Sequence, residues 1–285
     1  MTVVQITANM IKELRERTGV GMGKCKEALE TAKGDMELAI ANLRKAGIAS
    51  AVKKQGRETN EGKIGVAESS QAIAIVEVNA ETDFVVKNDR FKQLLENICQ
   101  EVANTTPANL EAFLQQSYSK DPAHTIDQYR ALEIQAIGEN IQIRRLQTYA
   151  KGKSNSIGVY SHMDGKIVCV VEITGGAHEE ALAKDIAMHI AAAAPEFLSA
   201  DKVPDTVIAH ERDIAKSQIK GKPENMLEKI VDGKMNAFYD SACLLRQKYI
   251  RDDSLTIAEL VAKRAKETGK PLVVSGFLRW AVGQQ

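Results

Sequence analysis

Up to Gly47, apolar residues recur at helical spacing in three short runs. Met10, Ile11 and Leu14 share one face behind Thr7, a residue type that caps helices, and the run stops at Thr18-Gly19. Cys25, Ala28, Leu29 and Ala32 make a second set that ends at Gly34. Asp35 then opens a third, with Leu38, Ala39, Ile40 and Leu43, closed by Gly47. The pattern predicts a compact three-helix bundle. From Lys53 to Gly62 no apolar residue occurs, which reads as a linker, or as a frayed helix end followed by one.

The remainder carries an internal repeat. Ile64-Gly65-Val66 opens one unit and Ile157-Gly158-Val159 another. A second strand follows in each, Ile73–Val78 and Ile167–Ile173, and then a helix. The first helix carries Phe91, Leu94, Leu95, Ile98 and Val102; the second carries Leu182, Ile186 and Ile190. Ile141–Leu146 and Leu272–Leu278 supply a closing strand for each unit. Residues 205–245 have no counterpart in the first unit. Val207, Ile208, Ile214 and Ile219, then Leu227, Val231, Met235 and Phe238, lie at helical spacing around a turn signal at Lys220–Asn225. This predicts a helical hairpin that either packs on itself or offers a docking face. The fold class is α+β: a three-helix module, then two similar units of small antiparallel sheet plus helices, with an inserted helical hairpin. The expected domains are 1–54, 55–150, 151–204 with 246–285, and 205–245.

Charge narrows the partners. Lys and Arg number 38, as do Asp and Glu, so the chain lacks the basic surplus of a phosphate-gripping protein. Aromatic residues are 5%, too few for a row of base-stacking platforms. No apolar run approaches the length of a membrane span, and Met1–Val4 leads into a helical pattern without a signal-peptide profile. No direct nucleic-acid partner, no membrane and a cytoplasmic location are expected. Cys25, Cys99, Cys169 and Cys243 form no CxxC pair, so buried thiols are expected rather than a zinc site or disulfide framework.

Catalytic signatures fail one by one. Gly19–Cys25 resembles a phosphate loop, but a helix precedes it and Cys25 follows the Lys; Gly152-Lys153-Ser154 lacks the upstream glycine. His178-Glu179 and His210-Glu211 lack a second His four residues on, and no GxSxG elbow occurs. His189, among Ala and Ile, reads as a packed helix residue. No catalytic residue, cofactor or metal ligand is expected, and the chain reads as a non-enzyme.

Three features remain. Thr82-Asp83-Phe84-Val85 sets an acid and a large aromatic at a helix start. Either Thr82 or Asp83 caps the helix and Phe84 staples it to the core, or Asp83 and Phe84 protrude as an anchor for a partner's pocket. Ile137-Gly138-Glu139-Asn140-Ile141 is a helix C-cap turn or a second contact loop. Met22, between two glycines, is a bundle core residue or an adaptable exposed one.

Together with Ile143-Arg144-Arg145, Leu14–Met22, Ala187–Ile190 and Pro195-Glu196-Phe197, these strings resemble the translation elongation factor Ts family, in order and over nearly the whole chain. The resemblance implies a guanine-nucleotide exchange factor whose partner is elongation factor Tu. The N-terminal module, similar to a ubiquitin-associated domain, would dock on the GTPase through Arg15, Met22, Lys26 and Lys54. Asp83 and Phe84, with Thr82 and Val85 beside them, would enter near the GTPase's magnesium site, and Ile137 and Gly138 near its phosphate loop. His162 in the second unit matches a further contact, and the hairpin would touch another GTPase domain or a second copy as a homodimer. The resemblance also carries departures: Gly23 and Lys24 replace a second Met and an Asp, and no helical module is expected after the last strand. The competing reading is an adaptor that binds a ubiquitin-like domain through the N-terminal bundle alone.

Overall fold

The computed structural model describes residues 5–219 and 224–284, in two compact units. One runs through Ala150 and also takes Val282, Gly283 and Gln284; the other is Lys151–Ala281.

The first unit begins with α1 (Ala8–Thr18), α2 (Met22–Thr31) and α3 (Met36–Lys54). The expected caps form: Thr7 Oγ1 accepts the Met10 N–H at 3.3 Å, and Asp35 Oδ1 accepts the Leu38 N–H at 2.9 Å. Leu14, Val20, Cys25, Leu29, Ala39 and Leu43 close a small core. Leu38 does not join it and lies exposed. Then come β1 (Glu61–Glu68), β2 (Ala72–Ala80), α4 (Asp83–Lys87), α5 (Asp89–Thr105) and α6 (Leu110–Gln115). The unit finishes with β3 (Ser117–Tyr118), β4 (Asp121–Thr125), α7 (Ile126–Ile137) and β5 (Ile141–Ala150). The third helix is longer than expected: α3 passes Gly47 and ends at Lys54. Gly47 is instead a close-approach point, where a Cβ would come within 2.8 Å of Gln135 Oε1 on α7. Ala51, one turn on, joins the core of the sheet. The helix is prolonged by packing, which overrides the local stop signal.

The second unit repeats the plan with β6 (Asn155–His162), β7 (Ile167–Thr174) and α8 (Glu180–Ala193). The hairpin follows as α9 (Asp205–Ser217) and α10 (Glu224–Ala242), then β8 (Lys248–Tyr249), β9 (Asp252–Thr256), α11 (Ile257–Thr268) and β10 (Val273–Ala281). The hairpin packs on itself through Ala215, Val231 and Met235, with Ile208, Ile219 and Phe238 around them. Of its expected turn at Lys220–Asn225, Lys220–Pro223 lie outside the described residues, like Met1–Val4, while Glu224 and Asn225 already belong to α10.

Both sheets are antiparallel and three-stranded, in the orders β1-β2-β5 and β10-β7-β6. The central strands β2 and β7 carry most of the buried apolar residues. The repeated Ile-Gly-Val has a steric cause. A Cβ on Gly65 would sit 2.5 Å from Cys99 Sγ of α5, and one on Gly158 would sit 2.1 Å from the Lys184 backbone N of α8. Each glycine lets its unit's main helix lie directly on the first strand.

The two units also share a second repeat. Gln116-x-Tyr118-x-x-Asp121-x-x-x-Thr125-Ile126 and Gln247-x-Tyr249-x-x-Asp252-x-x-x-Thr256-Ile257 share residues and spacing. They fold alike: β3–β4 and β8–β9 are tiny hairpins, and the Ile126 and Ile257 N–H groups donate to the Gln116 and Gln247 carbonyls, both at 3.0 Å. Thr125 with Gln128, and Thr256 with Glu259, then form capping boxes that start α7 and α11.

Candidate partner-binding surface

The segment after β2 turns sharply into α4, a helix of 5 residues. So short a helix has no stability of its own. Val86 is buried beneath it and Val85 is partly buried against the sheet core. Thr82 is its N-cap, its hydroxyl accepting the Val85 N–H. The staple reading fails for Phe84. At 81% exposure it is the most exposed large apolar side chain among the described residues. Asp83 points outward beside it and meets Lys87 at 2.7 Å across one helical turn. The hydrogen bond from Lys87 holds the Asp83 carboxyl below its ordinary range, so the side chain is anionic at neutral pH.

The loop after α7 lies against this element. Gly138 is the helix C-cap, left-handed at φ 97°, and its N–H donates to the Ile134 carbonyl at 2.9 Å. Glu139 Oε2 accepts the Thr82 N–H at 3.0 Å, and its Oε1 accepts the Thr82 hydroxyl at 2.6 Å. In return the Asn140 N–H donates to Glu81 Oε1 at 2.6 Å. Two carboxylates, one from each loop, therefore join the two loops through three hydrogen bonds.

Lys54 closes the assembly. Its Nζ donates to the Gly138 carbonyl at 2.7 Å and reaches the Ile134 carbonyl at 3.4 Å. The cation thus occupies the negative end of α7. Burial, reinforced by Lys24 and Arg57 nearby, lowers the Lys54 pKa. Arg57 meets Glu81 at 3.4 Å, and its carbonyl accepts the Asn140 side-chain N–H at 2.8 Å. Lys54, Thr82, Asp83, Phe84, Val85, Ile137 and Gly138 therefore lie in one neighbourhood. Glu81, Glu139, Asn140 and Arg57 organise it, and none of the four was singled out as a site residue. Their signal was their place inside or next to the chosen strings.

The other candidates lie elsewhere. Met22 opens α2, half exposed, with Lys26 one turn later and paired to Glu30 at 3.7 Å. Arg15 is exposed on α1, and its carbonyl accepts the Gly19 N–H at 2.7 Å. In the second unit His162 ends β6, exposed, with Nδ1 hydrogen-bonded to the Tyr160 hydroxyl at 3.2 Å. Gly21, in the phosphate-loop lookalike, is the N-cap of α2 directly after α1, so no strand feeds that turn. His189 is buried against Gln247 at 2.9 Å, and burial lowers its pKa. Among the described residues, no helix is long and apolar enough to cross a membrane.

Residues 81–284 match the family model described as Elongation factor TS, which places the chain among the translation elongation factors. Elongation factor Ts of Protochlamydia amoebophila (strain UWE25) is 68% identical over 279 residues, 98% of this chain and 99% of that one. Elongation factor Ts of Chlamydia muridarum (strain MoPn / Nigg) is 45% identical over 273 residues, 96% of this chain and 97% of that one. The chain belongs to the elongation factor Ts family.

Proposed function

We propose that the chain is a guanine-nucleotide exchange factor that binds elongation factor Tu and speeds its release of GDP. The observation that carries this reading is Phe84, displayed on a clamped short helix beside an anionic Asp83. A rigid exposed aromatic suits insertion between a partner's elements. An adjacent carboxylate suits disturbance of a magnesium ion that neutralises phosphate charge. Ile137 and Gly138 sit in the joined loop and would press on the phosphate-binding loop. Arg15, Met22, Lys26 and Lys54 would dock the N-terminal module, and His162 would add a contact from the second unit. The hairpin would meet another domain of the GTPase or a second copy of this chain.

Such a factor needs no nucleophile, cofactor or nucleotide site of its own, and works in the cytoplasm. Binding the empty GTPase more tightly than the loaded one lowers nucleotide affinity by the same factor. The test is release of fluorescent GDP from elongation factor Tu on mixing with the chain. Marked acceleration is expected, with Phe84→Ala reducing the stimulated rate about ten-fold or more while the helical circular dichroism is unchanged. No acceleration by the unaltered chain overturns the reading. An adaptor working through the N-terminal bundle alone would be indifferent to Phe84→Ala.

A further inference from the structure

We infer that Glu139 is a positioning residue for exchange, a latch that sets where Phe84 points; this rests on the exchange reading above. Three observations carry it. First, α4 is only 5 residues long, so its orientation must come from outside it. Buried Val86 and partly buried Val85 hold its underside, but apolar contact alone leaves rotation and sliding open.

Second, Glu139 grips the one residue that starts the helix. Both carboxylate oxygens are engaged, one by the Thr82 N–H and one by the Thr82 hydroxyl, at 3.0 and 2.6 Å. The hydroxyl donates to Glu139, so its lone pairs stay available for the Val85 N–H, which reaches it at 3.4 Å. The latch and the helix cap therefore do not compete.

Third, the latch comes from the loop whose other end is fixed. Lys54 holds the Gly138 carbonyl, and Glu81 holds the Asn140 N–H, so both neighbours of Glu139 are tied down. A carboxylate held from both sides transmits position. Phe84 follows Thr82 by two residues and is thus placed by a group 55 residues away in sequence.

Docking through Arg15, Met22 and Lys26 does not touch this latch, whereas insertion of Phe84 does. Loosening Glu139 should therefore lower the maximal release rate and leave half-saturation little changed. The experiment titrates the full-length chain against elongation factor Tu loaded with fluorescent GDP. Glu139→Gln keeps the size but offers one acceptor oxygen and turns an amide donor toward a donor. A fall of about ten-fold in maximal rate is expected, with half-saturation within about two-fold. In a Phe84→Ala background the same change should cost nothing further, because a group acting through Phe84 has nothing left to place. Thr82→Val, which removes the hydroxyl that Glu139 holds, should be slow like Glu139→Gln, and Thr82→Ser, which restores that hydroxyl, should recover most of the rate that Thr82→Val loses. That pair carries the test if Glu139→Gln does not fold.

Unaltered rates for both Glu139→Gln and Thr82→Val overturn the latch while leaving the exchange reading intact. A double variant slower than Phe84→Ala by the full single-variant factor also overturns it, since Glu139 would then act by another route. A Phe84→Ala chain as fast as the unaltered one overturns the latch, since Phe84 would then do nothing for it to place, whereas no acceleration by the unaltered chain overturns the exchange reading itself.

Discussion

The loop after β2 and the loop after β7 leave the same place in two units of one design, and they end in opposite states. The first carries α4 and holds Phe84 out to solvent. The second runs from Gly175 to Glu179 without an inserted helix and is drawn in on itself. Glu179 is buried there, with Arg264 Nε at 2.7 Å and Lys270 Nζ at 3.0 Å on its two oxygens, and its N–H donates to Ser156 Oγ at 2.9 Å. The partners of the two key carboxylates differ in kind. Glu139 holds a hydroxyl and an amide of a loop that displays something. Glu179 is neutralised by two cations and secures a loop that displays no large apolar group. A shared frame carries one edge that displays an aromatic side chain and one that is sealed.

The comparison can be pressed hardest at the frame. Gly158→Ala drives a methyl into the α8 backbone, whereas Gly65→Ala meets the side chains of Cys99 and Leu95, which can yield. Gly158→Ala should cost about 3 kcal/mol and Gly65→Ala about 1 kcal/mol, read from urea midpoints and amide exchange in α8 and α5. Equal losses would mean the two helices do not rest on their glycines in the way described.

Next is the sealed edge. Glu179→Ala should cost about 2 kcal/mol, since two charge-assisted bonds go while Arg264 and Lys270 regain water. The pH dependence has a definite sign. Hydrogen bonds from Arg264, then Lys270, hold the Glu179 carboxyl below its ordinary value against the opposing effect of burial. On acidification the unfolded chain therefore takes up this proton first. Stability from Glu179 is complete above about pH 5 and is lost as pH falls through its lowered folded value. Urea midpoints between pH 6 and pH 3 should fall more steeply for the unaltered chain than for Glu179→Gln.

The smallest expected effect tests sameness. Thr125→Ala and Thr256→Ala each remove one capping box, and each should cost about 1 kcal/mol in denaturant titrations. A large difference between them would show that the frames have diverged beyond the loops.

Much of this frame was legible in the chain. Thr7 and Asp35 announce their helices, and the two Ile-Gly-Val strings mark corresponding strands, because caps and close packing leave local signatures. The β3–β4 and β8–β9 hairpins escape notice because their strands of two and five residues hold too few apolar positions to show a periodicity, although their shared spacing is there to be matched. Gly47 misled because its role is contact with Gln135 on a distant helix. The state of Phe84 was undecidable locally. An aromatic after a cap serves equally as staple or anchor, and the group that holds the cap, Glu139, lies 57 residues beyond Thr82.

The four cysteines give the molecule an internal clock. All are buried and unpaired, and they are dispersed: Cys25 in the N-terminal helices, Cys99 under the first sheet, Cys169 in the second, Cys243 just past the end of α10. Burial pushes the Cys99 and Cys169 thiols up to about 12, so neither supplies thiolate while its core is shut. Each thiol becomes reactive only when its own neighbourhood opens. Exposing the native chain to an alkylating reagent and following the four sites by mass would therefore time the opening of four regions separately, without altering a residue.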